Sequence, residues 1–235
     1  MDLKRFFTDD IDEKNRVAVL YGDEFYHAVK VTRHKVGYKL IVCNNTPYDY
    51  YCTVTEVGKD SLHAKIDEIV KNDTELSSVV RLYVGLNKDI DTVVQKAVEL
   101  GVREIVPFLS DHGNVDSVNK QRLEKIVLES AKQCGRSVLP SVGNVVSLSE
   151  AIEKAQGSDI LFFYEFEREN RVKDLSFSEG EVSVFIGPEG GFSEREKGLF
   201  VGSGAHTLTL GKRILRVATA VVSALTLVNE RLEEV

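Results

Sequence analysis

No apolar run in this 235-residue chain approaches the roughly 18 residues of a membrane span. The N-terminus, Met1 to Asp10, lacks a signal-peptide h-region and runs into acids, a pattern against export. Cysteine is scarce. Cys43, Cys52 and Cys134 form no metal-ligand spacing, and an odd count argues against a disulfide framework. These absences point to a reducing cytoplasm and to no metal. Internal repeats and low-complexity segments are missing as well. What is present is an ordinary globular balance, 43% hydrophobic and 29% charged, enough for a real core. The length suits one large domain, or a small and a medium one.

The formal net charge of −7 speaks at first against a polyanionic partner. Its distribution qualifies that. Between Tyr26 and Leu40 stand four cations (Lys30, Arg33, Lys35, Lys39), two histidines (His27, His34) and no acid. A local patch of this kind can grip phosphates within an acidic whole. A solvated helix face would look the same.

The first 70 residues or so read as short strands: Val17 to Leu20, Lys39 to Cys43, Tyr50 to Val57 and Ser61 to Ile66. Gly22-Asp23, Asn44-Asn45 and Gly58-Lys59-Asp60 suit the turns between them. One short helix fits around Asp23 to Val31. Closely spaced strands suggest a small barrel. From Ser78 the rhythm becomes alternating strand and helix. Strands are expected at Val79 to Leu86, Val102 to Leu109, Ile160 to Phe166, Val182 to Ile186 and His206 to Leu210. Helices are expected at Asp89 to Leu100, Lys120 to Cys134 and Val217 to Leu232, with capping boxes at Ser147-Leu148-Ser149-Glu150 and Ser193-Glu194-Arg195-Glu196. Alternation with continuous apolar strands means an α/β fold around a parallel sheet. The polar stretch Lys71-Asn72-Asp73-Thr74 divides residues 1–72 from 73–235.

Two segments carry the chemistry. In Phe185-Ile186-Gly187-Pro188-Glu189-Gly190-Gly191-Phe192-Ser193-Glu194 a buried strand ends in a glycine loop and a capped helix follows. Glycines admit a ligand close to the backbone, and such loops are where open α/β sheets bind cofactors. No Gly-Lys-Ser/Thr follows and G-x-G-x-x-G spacing is absent, so phosphate cradling is not signalled. Gly and Pro also simply punctuate turns. The second segment, Leu208 to Ala220, repeats the strand, glycine turn and helix with an apolar and basic turn. Ile214 and Leu215 fit a wall around an aromatic base, with Arg213 or Arg216 aimed at a phosphate or carboxylate. A loop tucked into the core is the plainer alternative.

These two segments, with Gly85-Leu86-Asn87-Lys88, Gln95 to Val102 and Glu129 to Arg136, resemble the RsmE family of SPOUT methyltransferases. Its members modify N3 of a uridine in small-subunit (16S) ribosomal RNA. The five motifs occur in the family's order over nearly the whole chain. The resemblance implies a PUA-like β-barrel for RNA over residues 1–72. Over 73–235 it implies an α/β SPOUT domain with a deep trefoil knot, which periodicity alone would read as an ordinary doubly wound sheet. It further implies S-adenosylmethionine as cofactor and a homodimer. Implied cofactor contacts are Tyr164, Glu165, Gly187, Pro188, Glu189, Gly190, Gly191, Leu210, Gly211, Ile214, Leu215 and Arg216. Lys30, Arg33, Lys88 and Arg136 are implied at the RNA. Arg216, Glu189 and Glu129 are the catalytic candidates, none assigned as a base.

Two departures stand out. Where the family usually has Arg-Thr-Glu-Thr-Ala, this chain reads Arg216-Val217-Ala218-Thr219-Ala220. Where it commonly has Glu-Arg-Ser, the chain reads Ser110-Asp111-His112-Gly113-Asn114, and His112 is the candidate to replace part of the lost arginine. Two rival readings stay in play, the second motivated by Val217 and Ala218. One is another SPOUT enzyme acting on a ribose 2'-hydroxyl or a transfer RNA base. The other is a non-catalytic RNA-binding or ribosome-assembly protein.

Overall fold

β-branched and aromatic runs separated by Gly, Asn and Asp turns build the first of two units in the computed structural model, which describes residues 3–178 and 180–233. That unit comprises residues up to Glu75 together with Ala131–Leu139; the second comprises Leu76–Ser130 and Pro140 onward.

The first unit holds β1 (Arg5–Phe7), β2 (Ile11–Asp12), β3 (Val17–Tyr21), β4 (Lys39–Cys43), β5 (Tyr48–Val57) and β6 (Ser61–Lys71) in one sheet of order β1-β4-β5-β6-β3-β2. β1 pairs β4 in parallel; the other ladders are antiparallel. The two edges of this sheet are nearly continuous in the chain, since only residues 8–10 join β1 to β2. The sheet therefore curls back on itself. Thr8 secures the join: its N–H donates to the Cys43 carbonyl and its hydroxyl to the Val19 carbonyl. Alternate residues point inward, so Leu20, Leu40, Val42, Tyr50, Cys52, Leu62 and Ile66 share a buried core. The helix expected over Asp23 to Val31 is split. A regular helix α1 (Gly22–Tyr26) passes into a π turn, His27–Val31, because the Thr32 N–H reaches back five residues to the His27 carbonyl. β1 and β2 are too short to carry a period, so the sequence does not announce them.

The second unit alternates as the pattern predicts. Its elements are β7 (Val79–Gly85), α2 (Ile90–Glu99), β8 (Glu104–Leu109), α3 (Lys120–Cys134, whose last turn belongs to the first unit), β9 (Ser141–Val142), β10 (Val146–Ser147), α4 (Leu148–Lys154), β11 (Asp159–Phe163), β12 (Glu181–Ile186), α5 (Glu194–Gly202), β13 (His206–Leu208) and α6 (Val217–Glu233). All its ladders are parallel, in the order β10-β8-β7-β12-β11-β13 with β9 beside β8. The central strands are buried on both faces, which explains their continuous apolar sequences. Stacked and edge-on rings of Phe108, Phe162, Phe185, Phe192 and Phe200 fill one side. Both capping boxes form, Ser147 with Glu150 and Ser193 with Glu196. The Asn229 amide donates to the Leu100 carbonyl at 2.8 Å, tying α6 to the end of α2. Among the described residues no helix is long and apolar enough to cross a membrane, and no group of three or more His, Cys, Asp or Glu is placed to hold a metal.

Candidate functional site

Three chain segments leave the same end of the parallel sheet: residues 164–170 after β11, 187–193 after β12 and 209–216 after β13. They surround a cavity of about 300 Å³ at the carboxyl ends of the strands, the usual position for a ligand in an open α/β sheet.

The glycine loop is fixed from several sides. A Cβ on Gly85, in β7, would stand 2.5 Å from Pro188 Cδ. One on Gly187 would stand 2.7 Å from Phe192 Cε2, and one on Gly190 2.8 Å from both Cβ and the carbonyl oxygen of His112. Gly191 lies in the left-handed region, φ +69°, and a Cβ there would collide with Oε1 of Glu165. The Gly191 N–H closes the turn onto the Pro188 carbonyl at 3.0 Å. The Lys88 N–H donates to Glu189 Oε1 at 3.2 Å, so that carboxylate is committed to ordering the loop.

Behind the loop, buried Glu196 accepts the N–H groups of Ser193 and Asp111 at 2.8 and 2.9 Å. Arg195 and the Ser193 hydroxyl both donate to the Asp111 carboxylate, and together they hold it below its ordinary pKa. His112 Nδ1 lies 3.1 Å from the Gly190 carbonyl. The segment that departs from the family pattern thus serves as a buttress of the glycine loop.

The other two walls differ. Tyr164 is buried, its hydroxyl 3.3 Å from Glu194 and its ring under the Lys197 ammonium; burial, then the Glu194 charge, raises its pKa. The Thr209 N–H donates to the Asn170 carbonyl at 2.9 Å, and the Thr209 hydroxyl accepts the Gly211 N–H at 3.1 Å. Beyond that point the loop projects. Ile214, at the cavity wall, is 85% exposed.

The structure brings Tyr164, Glu165, Gly187, Pro188, Glu189, Gly190, Gly191, Leu210, Gly211, Ile214 and Leu215 around this one cavity. Arg216 is not in the wall. Its side chain is exposed and its carbonyl accepts the Ala220 N–H as α6 begins, so Arg213 is the basic residue of the lining. Phe163, Phe166, Ile186, Phe192, Val217 and Ala220 also line it, beyond the residues the motifs indicate. Adjacency to the loops could have suggested Phe163, Ile186 and Phe192, and i, i+3 spacing Val217 with Ala220. Of the departing residues, Val217 lines the cavity and Ala218 does not.

Elsewhere the expectations divide. Lys30, Arg33 and Lys88 are exposed, and Arg33 holds a left-handed φ of +56°. Arg136 is a correction. It is 1% exposed, with Nε and Nη2 donating to Glu75 at 2.8 and 2.7 Å, so its guanidinium is a buried structural cation and not a phosphate ligand in this structure. Glu129 is exposed on α3 and outside the cavity lining.

Comparison with known proteins gives consistent matches. The model of the RNA methyltransferase domain matches residues 74–229. The chain is 30% identical over 230 residues to the ribosomal RNA small subunit methyltransferase E of Mesomycoplasma hyopneumoniae, covering 94% of this chain and 97% of that one. It is 32% identical over 182 residues to the Aquifex aeolicus protein of the same name, covering 74% and 78%. Among solved structures, ribosomal RNA small subunit methyltransferase E from Neisseria gonorrhoeae, bound to S-adenosyl methionine, superposes with a TM-score of 0.89 at 25% identity and 96% coverage of each chain.

Proposed function

The chain belongs to the RNA methyltransferase domain family, and within it to the ribosomal RNA methyltransferases of the RsmE type; from that premise we propose that it methylates N3 of a uridine in 16S ribosomal RNA. It is an S-adenosylmethionine-dependent ribosomal RNA methyltransferase. The observation that carries the uridine reading is the near full-length likeness to ribosomal RNA small subunit methyltransferase E, and the cavity at the strand ends, assembled from loop residues that match the family's motifs, supplies the cofactor site.

The cavity suits the cofactor chemically. Its walls are apolar side chains and glycine backbone, which fit a purine and ribose, and its three charged residues, Glu165, Glu189 and Arg213, suit a zwitterionic, cationic ligand. Leu210, Ile214 and Leu215 would hold the adenine side and Gly187 to Gly191 the close backbone contact. When bound, the sulfonium supplies an electrophilic methyl and a positive charge that favours the uridine anion. The protein's contribution is chiefly positioning, potentially ~7–11 kcal/mol when reactants are held near attack geometry.

The N3 proton must leave, and none of the three catalytic candidates suits that role. Glu189 is committed to the Lys88 N–H, Glu129 lies outside the cavity, and Arg216 is a cation. We assign no dedicated base. Single-turnover rates with saturating cofactor should fall less than about tenfold in Glu189→Gln and Glu165→Gln. A thousandfold loss at one position would reverse the assignment.

Residues 1–72 are read as the PUA-like RNA-binding barrel and 73–235 as the SPOUT domain. The curled sheet, and the exposed Lys30 and Arg33, support the first. A trefoil knot in the second is an implication of the family resemblance, with which the Thr209 N–H on the Asn170 carbonyl at 2.9 Å and the Arg231 guanidinium of α6 on the Leu175 carbonyl at 2.9 Å are compatible. The proposal extends to a cytoplasmic homodimer. Methylation of small-subunit RNA, with the modified atom located by mass spectrometry, tests the activity. Methyl at a ribose oxygen or on transfer RNA overturns it. A crystal structure of the cofactor complex tests knot and dimer together.

A further inference from the structure

We propose that Glu165 is the residue that distinguishes the cationic cofactor from its neutral by-product, S-adenosylhomocysteine, by presenting a carboxylate to the sulfonium. The proposal rests on the cofactor reading of the cavity.

Of the two acids that line the cavity among the described residues, Glu189 is hydrogen-bonded within the fold and Glu165 is not. Glu189 receives the Lys88 N–H, and Glu194 receives the Tyr164 hydroxyl and faces Lys197. Glu167 accepts the N–H groups of Arg168, Glu169 and Asn170. The half-buried carboxylate of Glu165 lines the cavity with no hydrogen bond or ion pair among the described residues. Its carboxylate is therefore available to pair with a ligand of opposite charge in the cavity.

Its placement is also built. The Tyr164 N–H donates to the Leu208 carbonyl at 3.0 Å and the Glu167 N–H to the Tyr164 carbonyl at 3.1 Å. The Arg168 guanidinium donates to the carbonyl of Glu165 itself at 2.5 Å. The backbone at 165 is thus held on both sides. Opposite it, Gly191 leaves room for the carboxylate that any Cβ would remove, and the closed turn onto Pro188 keeps that space open. Two residues 26 positions apart are matched to put one negative charge over the cofactor loop.

Methyl transfer converts a sulfonium to a thioether, so one positive charge disappears from the ligand. A carboxylate facing that centre loses its partner when the reaction is complete. It therefore favours the reactant over the by-product, without contacting the methylated base.

The test is calorimetric titration of the full chain with three probes: S-adenosylmethionine, S-adenosylhomocysteine, and sinefungin, whose protonated amine replaces the sulfonium. Wild type should bind both cationic probes about tenfold more tightly than the thioether, and isosteric Glu165→Gln should erase that preference while the thioether changes less than about twofold. As a measurement independent of any variant, raising salt should weaken the two cationic probes in wild type and leave the thioether nearly unchanged. Equal loss for all three probes, or no change, overturns the proposal, because the carboxylate would then serve a shared group or none. If wild type binds no probe, the cofactor reading itself fails and this assignment fails with it.

Discussion

The glycine loop 187–191 and the projecting loop 210–216 face each other across one cavity, yet they are held in opposite ways. Around the first, a Cβ on Gly85, Gly187, Gly190 or Gly191 would strike a neighbour, and Asp111, His112, Arg195 and Glu196 support it from behind. Around the second, a Cβ on Gly211 would meet nothing within 4 Å, and Lys212, Arg213, Ile214 and Arg216 are all exposed. One wall is preformed and the other is left for a ligand to complete. A preformed wall supplies orientation at little entropic cost on binding; an exposed wall gives up that economy but lets the ligand enter and leave.

The sharpest break of this contrast is Gly85→Ala. Gly85 is outside the cavity lining, yet its Cβ would stand 2.5 Å from Pro188 Cδ and 2.6 Å from Pro188 N. Overpacking of this kind costs typically ~1–3 kcal/mol, which for a protein of this size lowers Tm by about 5 °C. Because the displaced atoms belong to the cofactor loop, affinity for S-adenosylmethionine should fall at least about tenfold. Scanning calorimetry and titration measure both. Unaltered affinity would mean that the loop's position does not depend on its seat.

Gly211→Ala should do less. Gly211 has φ +111°, which an alanine tolerates poorly, but the open surroundings let the loop relax. An expected cost of about 1 kcal/mol and a roughly threefold loss of affinity follow. Should Gly211→Ala exceed Gly85→Ala in either measurement, the second wall would be as tightly specified as the first.

Ile214→Ala separates stability from binding altogether. At 85% exposure the side chain contributes little to the fold, so Tm should hold within the roughly 0.5 kcal/mol scatter of surface substitutions. If the ligand covers it, affinity drops by about fivefold, the worth of a partly buried aliphatic side chain. Equal affinity would place Ile214 away from the bound cofactor.

Much of this arrangement was legible in the sequence where the determinants are local. Periodicity locates α2 and α3 to within a residue or so, and a capping box locates the start of α5, because Ser193 and Glu196 lie three apart and need no distant partner. The loop motifs point to the segments that meet at the cavity. What stayed hidden depends on residues far apart in the chain. The resemblance implies Arg136 at the RNA, and nothing near it in sequence shows that Glu75, 61 positions away, lies against it. Arg216 sits among cavity residues in sequence, but the start of α6 turns its side chain outward. The collision of a Gly191 Cβ with Glu165, and of a Gly190 Cβ with His112, are facts of tertiary packing that no window of sequence contains.

The smallest effect expected concerns the ionic support behind the glycine loop, and it is a matter of pH. The hydrogen bonds from Arg195 and Ser193 lower the pKa of Asp111 below its ordinary 3.8. A carboxylate depressed in the folded state stabilises it at pH values above the unfolded value. That contribution is lost as pH falls through the folded value, which lies lower still. The Tm difference between wild type and Asp111→Asn should therefore be constant from about pH 7 down to about pH 5 and close only as pH falls below the ordinary carboxylate value. The pair is exposed, so the difference itself should be slight. Gly211→Ala, on the wall without ionic support, should show no such acid convergence with wild type. If it did, the acid-sensitive step would be global unfolding and not the undocking of the Asp111 segment from the glycine loop.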